Sequence, residues 1–217
     1  MSEALFEQLF DSLDDTLLMV GVASLVALLL GTLLGVVLFA TTEPGLWRQP
    51  ALNRGLGALV NATRSTPFII LMVAIIPFTR LAVGTSIGTG AAIVPLAVAA
   101  IPFFARLVEA ALREVDRGLI EAALAMGATP RQILGKVLLP EALPALARGL
   151  TLTVISLIGY SAMAGAVGGG GLGDLGIRYG YQRFNPTVMA AVVVVLIILV
   201  QLVQSLGDFA ARRLQKK

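Results

Sequence analysis

Gly168-Gly169-Gly170-Gly171-Leu172-Gly173 has the G-x-G-x-x-G spacing that lets a backbone approach a dinucleotide pyrophosphate, and Gly135-Lys136 has the pairing found where a loop cradles nucleotide phosphates. Neither has the surroundings that such chemistry needs. The glycine run ends a hydrophobic segment and follows no strand, whereas the dinucleotide fingerprint lies between a strand and a helix. A phosphate loop also needs a Gly five residues before the Gly of the pair and Ser or Thr after the Lys. Pro130 and Val137 occupy those positions. The chain has no His and no Cys, so it lacks the commonest general base, the commonest thiol nucleophile and any Cys metal site. No bond chemistry and no cofactor or metal are expected on this chain. If ATP powers its work, another subunit binds it.

The elements around these residues explain why soluble chemistry is missing. Of 217 residues, 57% are hydrophobic and 13% charged, against roughly a quarter charged in soluble domains. Charge is absent from five stretches: Thr16 to Thr42, Ser65 to Thr79, Leu81 to Ala105, Gly149 to Gly173 and Phe184 to Gly207. Four exceed the ~20 residues that cross a hydrocarbon core. The second is shorter, and is expected to begin near Gly57 with Arg64 snorkelling to the surface. Continuous apolar runs without period-two alternation select helices over a barrel. The expectation is an all-α membrane protein forming a single domain over 1–217, with five transmembrane helices at about 16–40, 57–79, 86–110, 147–171 and 186–209.

The leading MSEALFEQLFDSLDD is acidic and lacks the basic start of a cleaved signal peptide, so the first run is expected to remain as a span. Thirteen of 16 basic residues fall in three segments: Arg48 to Arg64, Arg106 to Arg148 and Arg212 to Lys217. The positive-inside rule then puts the N-terminus outside and the C-terminus inside. That asymmetry accounts for the pI near 9.7 without nucleic acid. Ionisable groups that mark proton relays are missing from the span centres, which counts against a proton-driven pump. A sodium site built from carbonyls and hydroxyls at broken helices stays open.

One cytoplasmic segment, about 113–144, is patterned differently. In EAALAMGATPRQILGKVLLPEALP, helix formers precede Gly127, which suits a left-handed C′ position, and Thr129-Pro130 fits an N-cap and N1. A helix, a tight turn and a second helix follow. Ile133, Leu134, Val137 and Leu138 make one apolar stripe, which can lie on its own protein, a membrane or a partner's groove. Pro140 and Pro144 are expected to end or bend the second helix before the next span.

This segment resembles the EAA loop of membrane subunits of binding-protein-dependent ABC importers, with Glu121, Ala122, Ala123, Gly127, Ile133, Leu139 and Pro140 at matching positions and Ala128 and Pro130 within the same turn. The stretches RSTPFIILMVAIIPFTR, VGTSIG, AAIVPL, AMGATP, VLLPEALP and GYSAMAGAVGGGGLGDLG are similar to the methionine-uptake permeases of bacteria. The first 15 residues carry none of that pattern. The resemblance implies a type I importer permease in the bacterial inner membrane, working as a homodimer. It further implies two cytoplasmic ATP-binding subunits that use ATP and Mg, an extracytoplasmic substrate-binding lipoprotein, and 121–140 as the coupling segment. A permease for another small amino acid shares that segment, whereas a sodium-coupled carrier or a structural scaffold has no use for it.

In the fourth span, Met163 is the candidate hydrophobic gate, placed midway along Gly149 to Gly173, with Tyr160 and Ser161 as candidate pathway lining. Packing is the alternative role for small residues and a lone Met. Gly31 and Gly35 form a G-x-x-x-G that serves either internal packing or a dimer contact, and Pro67, Pro77, Pro95 and Pro102 are expected to break helices. Arg178 and Arg183 are expected to face acidic groups on an outer partner.

Overall fold

The computed structural model describes residues 3–44 and 46–215, and those residues form helices and turns with no strand. Lys216 and Lys217 of the basic C-terminus lie outside them. Four helices are long and apolar enough to cross a membrane, and a bent pair makes a fifth if counted as one span.

The first helix, Leu5–Ala40, starts well before the expected residue 16. Its acidic beginning is amphipathic, and Leu5, Leu9 and Leu13 pack on a small core of Leu172, Leu175, Val188 and Val192. A π turn at Ala27–Gly31 lies in its middle. There Gly31 and Gly35 face the helix Thr89–Arg113 so closely that a methyl group on Gly35 would come 2.5 Å from the Ala105 carbonyl oxygen. The G-x-x-x-G is thus an internal packing seam.

No straight helix covers 57–79. Pro50–Ser65 and Phe68–Ala74 meet at 107°, and Ile76–Val83 continues beyond a further break. Pro67 lacks an N–H and restricts Thr66 to an extended conformation, which accounts for the sharp turn. Pro95 and Pro102 behave otherwise. They lie buried inside the unbroken Thr89–Arg113 helix, whose neighbours hold it on most sides.

The loop helix and the fourth span are one helix, Pro130–Gly165. The expected interruption at Pro140 and Pro144 does not occur, because residues Ile133–Leu138 shift into a π register whose Leu139 N–H bonds Leu134 O, immediately before Pro140. The irregularity is absorbed in the turn ahead of the prolines rather than by a break. Such π turns inside long helices are often functional.

After Gly165 the chain reverses through Gly168, Gly170 and Gly171, all at positive φ (86°, 79° and 76°). A short helix, Gly171–Leu175, extended by a π segment to Gln182, then folds back on the end of the fourth span. Thr16 accepts a hydrogen bond from the Leu172 N–H at 2.9 Å, and the Gly88 N–H donates to Gly168 O at 2.8 Å, tying this return to the first helix and to the start of Thr89–Arg113, which are themselves joined by the bond from Thr89 to Asp15 at 2.9 Å. Backbones nearly touch here: a methyl group on Gly173 would lie 2.4 Å from the Ala162 backbone. Gly173→Ala should therefore lower the melting temperature of the purified permease in detergent, since overpacking of this kind costs ~1–3 kcal/mol. An unchanged melting temperature would show that the return helix can slide.

The last helix, Pro186–Leu214, is capped by Asn185 and is mostly unburied, with Ile197 and Leu202 among its exposed apolar residues.

Candidate functional site

The segment between the third and fourth long helices is built from successive local devices. Asp116 accepts a hydrogen bond from the Gly118 N–H at 2.8 Å and starts the helix Arg117–Ala125. Gly127 ends it at φ 77°, with Gly127 N–H bonded to Leu124 O and Ala128 N–H to Ala123 O, the paired closure of a Schellman turn. Thr129 and Gln132 then form a capping box around Pro130. The Thr129 N–H donates to Gln132 Oε1 at 2.8 Å, and the Gln132 N–H donates to Thr129 Oγ1 at 3.4 Å.

The apolar stripe does not face outward. Ile133, Leu134 and Leu138 are buried, together with Ala123 and Ile120, in the main core formed around Phe104, Val108 and Leu112. Ala123 and Ile133 therefore anchor the segment to its own bundle. Leu139 and Pro140 are half-buried, as are Ala128 and Pro130. The open surface is made by Glu121, Ala122, Leu124, Met126, Gly127, Arg131, Gln132 and Lys136, with Met126 82% exposed. Helical periodicity shows that a face is covered and is silent about what covers it. The result is a rigid, preformed turn with a mixed apolar and polar surface.

On the helix Thr89–Arg113, which leads into this segment, sits a charged cluster that the spacing of single residues did not single out. Glu109, 5% exposed, accepts from Arg106 at 2.6 Å and from Arg113 at 2.7 Å on the same helix. Arg106 also reaches the bent span, donating to Gly57 O at 3.2 Å and Asn61 Oδ1 at 2.9 Å. The i, i+3 and i+4 spacing of R106-x-x-E109-x-x-x-R113 was the available signal.

The gate candidates separate. Met163 is in the last turn of Leu139–Gly165 rather than midway along a span, because the helix ends at Gly165, and it is about half exposed. Tyr160 stacks in parallel on Phe68 with ring centroids 4.7 Å apart. Ser161 is buried and donates to its own helix at Ile158 O, so it lines nothing. Arg178 pairs with Asp174 within the chain, and Arg183 lies over the Tyr179 ring at 4.4 Å. Both guanidinium groups thus have a neighbour within the chain, while Arg178 remains 60% exposed.

This arrangement of long apolar helices with a preformed turn at one end and a tight glycine reversal at the other defines a membrane-embedded transport subunit. Residues 27–217 match the model of the binding-protein-dependent transport system inner membrane component, and the chain belongs to that inner-membrane family. It is 59% identical over 202 residues, 93% of this chain and 90% of the relative, to a probable D-methionine transport system permease protein MetI of Vibrio cholerae. The methionine import system permease protein MetP of Bacillus subtilis is 46% identical over 83% of this chain and 82% of its own. A chain in the inward-facing MetNI methionine ABC transporter superposes with a TM-score of 0.96 at 53% identity, covering 100% of both chains.

Proposed function

We propose that this chain is the membrane-spanning subunit of an ATP-driven, binding-protein-dependent importer that moves methionine across the inner membrane by alternating access. The supporting observation is agreement along the whole chain with permeases of methionine systems, in sequence over 93% and in fold over 100% of its length. In this reading the permease is a homodimer with its N-terminus outside and C-terminus inside. It docks two cytoplasmic ATP-binding subunits, which use ATP and Mg, and takes substrate from an extracytoplasmic lipoprotein. The exposed part of 121–140 is the surface that meets the ATPase. A docked element couples two sites only if it contacts the two ATPase states differently, and a turn fixed by a Schellman closure and a capping box transmits such differences as a rigid body.

Met163 closes the pathway near its outer end in this reading. Met163→Ala should raise passive methionine leak into vesicles several-fold without lowering ATP-driven uptake to the same extent. Equal leak from variant and parent would remove Met163 from the gate.

The assignment as a whole is tested by uptake of labelled L-methionine in cells with and without the gene, challenged with ATP depletion and unlabelled amino acids. An ATP-dependent, methionine-competed component should vanish with the gene. Competition by a different amino acid alone would reassign the substrate.

A further inference from the structure

At the bend between Pro50–Ser65 and Phe68–Ala74 lies a cavity of about 170 Å³ lined by Thr63, Arg64, Thr66, Phe68, Phe103 and Tyr160 among others. Arg64 makes no hydrogen bond or ion pair with any described residue, and no acidic side chain lines the cavity. Arg64 is exposed and stands in the last turn before the 107° bend, where a guanidinium beside an apolar wall pairs favourably with an anion. None of the described residues supplies one, which leaves the guanidinium open to the anionic group of a ligand. The hydroxyls of Thr63 and Thr66 donate to Leu59 O at 3.0 Å and Ala62 O at 3.1 Å, which leaves their oxygen lone pairs to accept from an ammonium group. The stacked Phe68 and Tyr160 rings provide an apolar wall, and sulfur packs well at ring edges.

The geometry points to this cavity as the substrate site of the permease, where Arg64 binds the α-carboxylate of a neutral amino acid and the Phe68–Tyr160 pair flanks its side chain. The inference rests on the amino-acid importer reading above and adds the chemistry of recognition to it. A single cation with no carboxylate nearby suits one ligand carboxylate. It leaves a second acidic group unmatched and offers nothing to a basic side chain. At about 170 Å³ the space corresponds to five or six waters at ~30 Å³ each, which suits a single amino acid rather than a peptide.

The test uses the permease–ATPase complex in nanodiscs without binding protein, titrated with L-methionine and with L-methioninol, in which a hydroxymethyl group replaces the carboxylate. Wild type should favour methionine by ~10-fold or more, the scale of a charge-assisted hydrogen-bond pair. Arg64→Gln should bring the two affinities within about threefold of each other by weakening methionine alone. Retained methioninol binding then reports that the variant is folded. If Arg64→Gln binds neither ligand, Arg64→Lys decides: a restored preference supports the site, and methioninol binding without preference overturns it. A wild-type preference in Arg64→Gln, or none in wild type, also overturns it, and Arg64 is then an anchor for lipid phosphate. Failure of the importer reading looks different. Cells would take up methionine equally with and without the gene, while the ratio would still be read on the neutral amino acid that does compete and on its amino alcohol.

Discussion

Gly127→Val is expected to reduce ATP-driven uptake by more than about tenfold, a change of ~1.4 kcal/mol in the coupled step, while the permease still inserts in the membrane. The backbone at 127 has φ 77°, where an L-residue costs ~1–2 kcal/mol and a β-branched one is a severe outlier. Relief of that strain would break the bonds from Gly127 N–H to Leu124 O and from Ala128 N–H to Ala123 O. Thr129 and its capping box would then turn away from the helix Arg117–Ala125, and the exposed surface around Met126 would lose its shape. The core residues Ile133, Leu134 and Leu138 lie beyond the turn and stay in place, so insertion should survive. Gly127→Asn should retain most activity, since Asn tolerates the left-handed region. Uptake, ATPase stimulation by the binding protein and the amount of permease in the membrane fraction would be measured together. Parental stimulation in the valine variant would show that the turn is not the coupling element.

How much of this was legible in the sequence depends on the range of the interaction. The Gly127–Pro130 turn is local, and each residue type implies its own backbone conformation, so helix, turn and helix were readable from six or seven letters. Four of the five expected spans were readable from the spacing of charges, since transfer of a charge into hydrocarbon outweighs local preferences, and the second is a bent pair. Long-range geometry was not. Pro67 bends its segment by 107° while Pro95 and Pro102 sit in a continuous helix. The residues are alike, and only the neighbours packed around Thr89–Arg113 make the difference. Pro140 looked like a terminus because the π turn that precedes it has no signature in residue type. The stripe at 133–138 was read as a face needing cover, which is correct, but its cover is the chain's own core. Tyr160 and Ser161 are adjacent and equally polar on paper, yet one stacks on Phe68 while the other bonds its own helix. Arg64 is at the surface, as its place in the sequence suggested, but a sequence cannot reveal that a bend has built a cavity beside it.

Glu109→Ala should be the most damaging single change to the fold. Removing one member of a buried ion pair costs ~3–5 kcal/mol, because the partner charge is left in a poorly hydrated place. Arg106 is the partner that matters, its side chain being 24% exposed, whereas Arg113 at 52% can rehydrate. The loss should therefore fall toward the lower part of that range. Its consequence reaches further than one helix, since Glu109 orients the guanidinium that donates to Gly57 O and Asn61 Oδ1. Without that orientation, Pro50–Ser65 loses a polar attachment to Thr89–Arg113, and the bend that shapes the Arg64 cavity loses a support. The variant should show reduced permease in the membrane and a lower melting temperature in detergent. Glu109→Gln should lie between, keeping two acceptor lone pairs and losing the charge. The double variant Glu109→Ala/Arg106→Met tests the mechanism itself. If desolvated charge is the cause, replacing both partners should recover part of the stability that the single change removes. A double variant less stable than Glu109→Ala would mean that the contacts of Arg106 with the bent span hold these helices together regardless of Glu109.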